Sequence, residues 1–251
     1  MTIDPSIALG QHPSSGGVPA KQWTGPALVI MPHPDDAEFG IGGTVAHWTR
    51  EGRGVFYVCC TSGDKGTDDV NMTPEKLSEI REREEREAAR VLGVKDVVFL
   101  RYADQGLEDT AGFRKELVRV IRRFKPETVA STDPYRKGLW HRDHRICGQI
   151  VLDAIYPLAR DYHAYPDLIK EGFLPHKVKE VLLWGSEEPN YRVDITSTFD
   201  TKMAALECHE SQVGGERGAD LLEEMREWAR ESAKGEAFGL AEDFRRIEAI
   251  E

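Results

Sequence analysis

The sequence predicts an α/β, Rossmann-like three-layer fold, with a mostly parallel sheet and helices on both faces. Two observations carry this. Short, wholly apolar runs alternate with helical stretches, and strands that are apolar on both sides belong to a sheet covered on both faces. The polar clusters fall directly after those runs, where open parallel sheets place their ligand crevice.

The elements follow in chain order. Residues 1–25, with "PSSGGVPA" in their middle, lack the basic start and continuous apolar stretch of a signal peptide and read as a flexible arm. Five strands are expected: "ALVIM" (27–31), "GVFYVCC" (54–60), "DVVFL" (96–100), "ETVAST" (127–132) and "KEVLLW" (179–184). A helix over 40–51 follows the first, and Gly40, Gly42 and Gly43 let it pack closely. The helix over 74–92 opens at Thr73-Pro74 and stops at Gly93. Leu77, Ile80, Ala88 and Leu92 share one stripe, and the charge run around them reads as a mostly solvated face. The helix over 111–124 turns Phe113, Leu117, Val120, Ile121 and Phe124 inward and ends before Pro126. A fourth helix spans 142–156, and 157–178 reads as irregular. With no repeat or linker, residues 26–251 read as one domain.

A chain of 251 residues buries about 70–75% of its unfolded surface and needs no disulfide staples. The 44 acidic and 33 basic side chains give a net charge of −11, which repels phosphate backbones and anionic membranes. Nucleic acid is therefore excluded as a partner. No apolar run approaches a membrane span, so no membrane insertion is expected. Cys59, Cys60, Cys147 and Cys208 form no CxxC pair and read as small packing residues in a reducing, cytoplasmic setting.

The chemistry gathers at the strand ends. "HPDDAE" follows the first strand, "TSGDKGT" the second, "RYADQGL" the third and "TDPYRKGLWHRDH" the fourth. His33 and Asp36 are three apart, as are His141 and His144, which lie near a helix start where that spacing shares a face. Two histidines and a carboxylate converging on one point make a three-ligand divalent-metal site with an open position, typical of catalytic zinc. Asp35 is then available to take a proton from water, and a second histidine to stabilise an oxyanion. An aspartate after a strand is by itself a common helix cap, and a lone histidine a surface residue. The joint occurrence of "HPDD" and "HRDH" on one crevice favours the metal.

These motifs resemble those of the LmbE-like, or PIG-L-like, zinc-dependent N-deacetylases, and the likeness continues through "IREREEREAARVLGV", "PNYRVDIT" and "KMAALECHESQ", roughly residues 26–213. Within that family the motif order is similar to that of archaeal diacetylchitobiose deacetylases. Two departures, Pro32 where alanine is usual and "DDAE" where many members read "DDE", touch no expected ligand. The resemblance implies one zinc per chain, held by His33, Asp36 and His144, with Asp35 as general base. It also implies that His141 polarises the amide carbonyl or protonates the leaving amine, with Asp143 orienting His141. Arg81 and Asp104 match positions that grip sugar hydroxyls, and Asp64 a carboxylate near the metal. The implied reaction is removal of acetyl from an N-acetylglucosamine-type sugar or conjugate by zinc-activated water, in a homo-oligomer by family analogy. His, His and Asp also accept iron or cobalt.

Two other activities stand beside this one. An amidase acting on another conjugate, such as a thiol conjugate, stays within the same chemistry. A nucleotide-binding module is suggested by "FGIGGT", but Val45 stands where the pattern requires its last glycine. His47, His209 and Gln212 read as packing or structural residues, Trp140 as a wall or a sugar platform, and Glu38 as support for the site.

Overall fold

The computed structural model describes residues 22–214 and 216–248, so most of the expected N-terminal arm lies outside the described residues. Seven strands, β1 (Ala27–Met31), β2 (Val55–Thr61), β3 (Asp96–Tyr102), β4 (Thr128–Thr132), β5 (Glu180–Trp184), β6 (Tyr191–Asp194) and β7 (Ala241–Glu248), form one sheet ordered β3-β2-β1-β4-β5-β7-β6. The first five pair in parallel, and β7 runs antiparallel to both β5 and β6. The predicted fold class holds, with a mixed edge added.

The period-2 alternation of the strands divides the core between two faces. Leu28, Ile30, Val58, Cys60, Val129 and Leu183 pack against α3 (Ala111–Phe124) and α4 (Arg142–Asp153), through Phe113, Leu117, Ile150 and Val151. Val29, Met31, Tyr57, Cys59, Ala130 and Leu182 pack against α1 (Asp36–Arg50) and α2 (Pro74–Leu92), through Ile41, Val45, Ala88 and Leu92. A third cluster joins α6 (Phe199–Leu206), across the short α7 (Glu210–Val213), to α8 (Glu216–Ser232) through Phe199, Met203, Met225 and Ala229. Thr73 and Thr110 cap α2 and α3 by accepting from the Lys76 and Phe113 amides.

Several boundaries differ from expectation. The first helix begins at Asp36, leaving only four residues after β1. Its glycines allow this: a Cβ on Gly40 would lie 2.5 Å from Trp184, and one on Gly43 2.8 Å from Ile195. The fourth helix stops at Asp153 and continues as a π-helical turn, Ala154–Leu158, where Tyr156 leaves helical angles before Pro157. The segment expected to be irregular contains the short α5 (Pro166–Lys170). The face of α2 expected to be solvated is partly buried, because Arg81, Glu84 and Glu85 turn inward.

The sheet order reverses at β1. From there the chain runs outward through β2 and β3 on one side and through β4 and β5 on the other. This is the switch point at which two successive loops diverge and leave a crevice beyond the carboxyl ends of the strands. The loops after β1 and β4 flank it.

Candidate active site

His33 lies two residues beyond β1 and is 6% exposed. Its Nδ1 is 3.1 Å from Asp36 Oδ2, and its Nε2 is 3.1 Å from Asp104 Oδ1 and 3.3 Å from Asp143 Oδ2. Asp36, at the start of α1, also accepts the His33 amide at 2.8 Å and turns its other oxygen to His144 Nε2 at 3.3 Å. One carboxylate therefore bridges the two histidines. His141, at the N-cap of α4, completes a triangle of imidazoles: its ring centre is 4.6 Å from that of His33 and 5.2 Å from that of His144.

Charge in this cluster is unbalanced. Burial alone would lower the pKa of His33, but Asp104, Asp143 and Asp36 push it up to about 12. Burial would raise Asp36, yet His144 and His33 hold it at about 2. Burial opposes ionisation of Asp143 too, but His33 and the amides of Leu107 and Gln105, at 3.1 and 2.6 Å, hold it down. Asp35 behaves oppositely: burial lifts it to about 6, with Arg81 only partly opposing.

A family model described as PIG-L: GlcNAc-PI de-N-acetylase matches residues 28–155. This chain belongs to that family. Diacetylchitobiose deacetylase of Thermococcus kodakarensis is 37% identical over 185 residues, covering 74% of this chain and 69% of that protein. Probable N-acetyl-alpha-D-glucosaminyl L-malate deacetylase 2 of Bacillus anthracis is 29% identical over 190 residues, covering 74% and 80%. Among solved structures, N,N'-diacetylchitobiose deacetylase from Pyrococcus horikoshii, complexed with its inhibitor, superposes with a TM-score of 0.85 at 31% identity, covering 89% of this chain and 84% of that one.

The donor set of this PIG-L chain fits a divalent transition metal. His33, His141 and His144 have ligand atoms within 4.8 Å of one another, as do His33, Asp104 and Asp143. Asp36 lies between the first trio's His33 and His144. Mixed imidazole and carboxylate donors suit zinc, and the buried carboxylates around His33 call for a cation.

The structure redistributes several expected roles. Asp143 does not orient His141; it accepts two backbone amides and faces His33 Nε2. At the helix start Asp143 is buried whereas His141 is exposed, and both meet the His33 ring. Arg81 is buried, donating to Pro34 O at 2.6 Å, Asp35 Oδ2 at 3.0 Å and Gly63 O at 3.1 Å, so its guanidinium is engaged by protein. Asp104 stands against His33, not on an open surface, and Asp64 accepts the Asp104 amide at 2.7 Å, one step further out.

The walls of the cleft and Glu85 went unread in the sequence. A cleft of about 500 Å³ opens on Asp36 and His144 and is walled by Thr132, Arg136, Leu139, Trp184, Trp228 and Lys202, among others. Its α8 wall arrives from the far end of the chain. Behind the site, Glu38, Glu85 and His209 form a fully buried cluster, with His209 Nε2 3.3 Å from Glu38 and 3.9 Å from Glu85. Burial lifts Glu38 to about 8. The "HESQ" segment, expected to be structural, supplies His209, and Gln212 bonds to Gly66 O.

Proposed function

We propose that this chain is a zinc-dependent N-deacetylase that hydrolyses the acetamide of an N-acetylglucosamine-type sugar or conjugate. The observation that carries it is the meeting of His33, Asp36 and His144 at the switch point, with Asp35 beside them and the cleft open toward solvent. His33, Asp36 and His144 would hold the metal, which when bound acidifies a water and polarises a carbonyl.

The protein's own groups supply the rest. Asp143 fixes the His33 ring from the side facing away from Asp36, the arrangement in which a carboxylate orients a metal-binding imidazole. Asp35, with its carboxyl lifted to about 6, is ionised at neutral pH yet basic enough to accept the proton of the attacking water. His141, exposed at the N-terminus of α4, is placed to hydrogen-bond the developing oxyanion or to protonate the leaving amine. The aromatic and apolar cleft walls suit a sugar ring on its way to that point.

The test is an acetate-release screen over N-acetylglucosamine conjugates, with metal content measured on the same sample. Acetate and free amine are expected in equal amounts. The His144→Ala protein is expected to lose both metal and turnover. Loaded metal without acetate from any conjugate would count against the reading, and release of a different acid would identify another amidase.

A further inference from the structure

We propose that one face of α2 sets the reactive conformation of Asp35, with Glu85 and Arg81 as positioning residues and His209 locking Glu85 from behind. The inference rests on the reading of Asp35 as general base.

Asp35 has φ 103° and ψ −29°, a backbone region that residues with a side chain rarely adopt. The need for it is local. His33 and Asp36 must reach one point from positions three apart, and the His33 amide is tied to the Asp36 carboxylate at 2.8 Å. The intervening Pro34-Asp35 unit absorbs the turn. Asp35 sits at the N-cap of α1 yet its carboxylate makes no capping bond, so helix capping does not hold it there.

What holds it comes from α2. Glu85 Oε2 accepts the Asp35 amide at 3.1 Å. Arg81, one turn earlier on the same face, donates to Pro34 O at 2.6 Å and to Asp35 Oδ2 at 3.0 Å. Two side chains thus fix a carbonyl, an amide and a carboxylate oxygen within two residues. Glu85 is itself confined, fully buried beside His209 and Glu38. His209 is seated by the next turn, where Glu84 accepts from the Ser211 amide and hydroxyl at 2.9 and 2.6 Å.

Stability does not explain the cluster. Two carboxylates and an imidazole lie out of reach of water, and Glu85 Oε1 and His209 Nδ1 lack hydrogen-bond partners. Apolar residues of similar size would fill that space at less cost. The arrangement gains sense if it keeps Asp35 in an otherwise unfavourable backbone state.

The experiment compares Glu85→Met, Glu85→Gln and Arg81→Lys in the metal-loaded protein by kinetics, metal content and crystal structure. Glu85→Met is expected to lower kcat by about 30- to 100-fold with KM changed by less than about 3-fold and metal retained. Glu85→Gln keeps an amide oxygen for the Asp35 amide and is expected to recover kcat to within about 5-fold of wild type. Arg81→Lys is expected to lower kcat by about 10-fold with little change in KM. The φ of Asp35 should stay positive in Glu85→Gln and relax in Glu85→Met. A raised KM at unchanged kcat in Arg81→Lys would make Arg81 a sugar ligand and overturn the proposal. So would Glu85→Met with wild-type kcat and only a lowered melting temperature. If Glu85→Met does not fold, the KM and kcat split in Arg81→Lys decides. A metal-loaded wild type without acetate release overturns the functional reading instead, and the crystallographic φ still tests the clamp.

Discussion

The two ends of the sheet both bury charge, but they balance it differently. At the amino end, Glu180 accepts from Thr128 Oγ1 at 2.7 Å and from Arg246 Nε at 2.7 Å, and Arg53 donates to Gly25 O and Thr128. Each buried carboxylate oxygen there has its donor. At the carboxyl end, His33 faces Asp36, Asp104 and Asp143. Both ends carry a cavity, about 390 Å³ at the amino end and about 500 Å³ at the carboxyl end, so volume does not distinguish them. Uncompensated charge does: a neutralised network holds elements together, whereas a surplus of carboxylate around an imidazole is a place for a cation.

The largest effect is expected at the carboxyl end, from Asp35→Ala. Turnover should fall by about 10²- to 10⁴-fold while metal content stays unchanged, measured by acetate release and elemental analysis. Loss of metal would make Asp35 a ligand instead. At the other end, Arg246→Met leaves Glu180 buried without its charge partner and should cost about 3–5 kcal/mol of stability, read by denaturant unfolding. Its kcat/KM below the melting range should match wild type; a large loss of activity would mean that the two ends are coupled.

The smallest effect concerns metal removal and pH. Zinc competes with the proton that the metal-free site keeps on His33, so zinc affinity should rise by up to about 10-fold per pH unit from about pH 6 to about pH 8, measured by competition with a chelating dye. In the metal-free protein the raised His33 pKa contributes stability that is fully present below the unfolded value of 6.5 and is lost progressively as pH rises from there through about 12. Asp36 and Asp104, held at about 2, contribute stability present above 3.8 and lost as pH falls toward 2. Unfolding curves of the metal-free protein should therefore weaken between about pH 4 and about pH 2 and decline again, by up to about 1.4 kcal/mol per pH unit, as pH rises above about 6.5. A flat acid limb would show that these carboxylates are not paired.

Much of the site was legible because its two halves are local. "HPDD" and "HRDH" each put their donors within one turn of chain, directly after an apolar strand, and both strands border the switch point. The edge of the sheet was not legible. β6 is four residues that alternate half-buried and exposed, and β7 reads "AEDFRRIE", whose charged side chains find partners distant in the chain: Glu242 with Lys202, Arg245 with Glu188 and Arg246 with Glu180. The cleft wall on α8 stayed hidden for the same reason.

The layered α/β class, five parallel strands and the meeting of the "HPDD" and "HRDH" motifs could be read from the chain, because burial period and ligand spacing are properties of short segments. Which carboxylate serves which imidazole depends on packing between distant elements. Asp143 and His141 are neighbours in sequence, yet the start of α4 turns one inward to His33 and leaves the other exposed. The charge run of α2 looked like solvated surface, yet Arg81 and Glu85 are buried because the sharp turn at Asp35 needs donors and acceptors that its own segment cannot supply. Partners set by long-range packing leave no period in the chain.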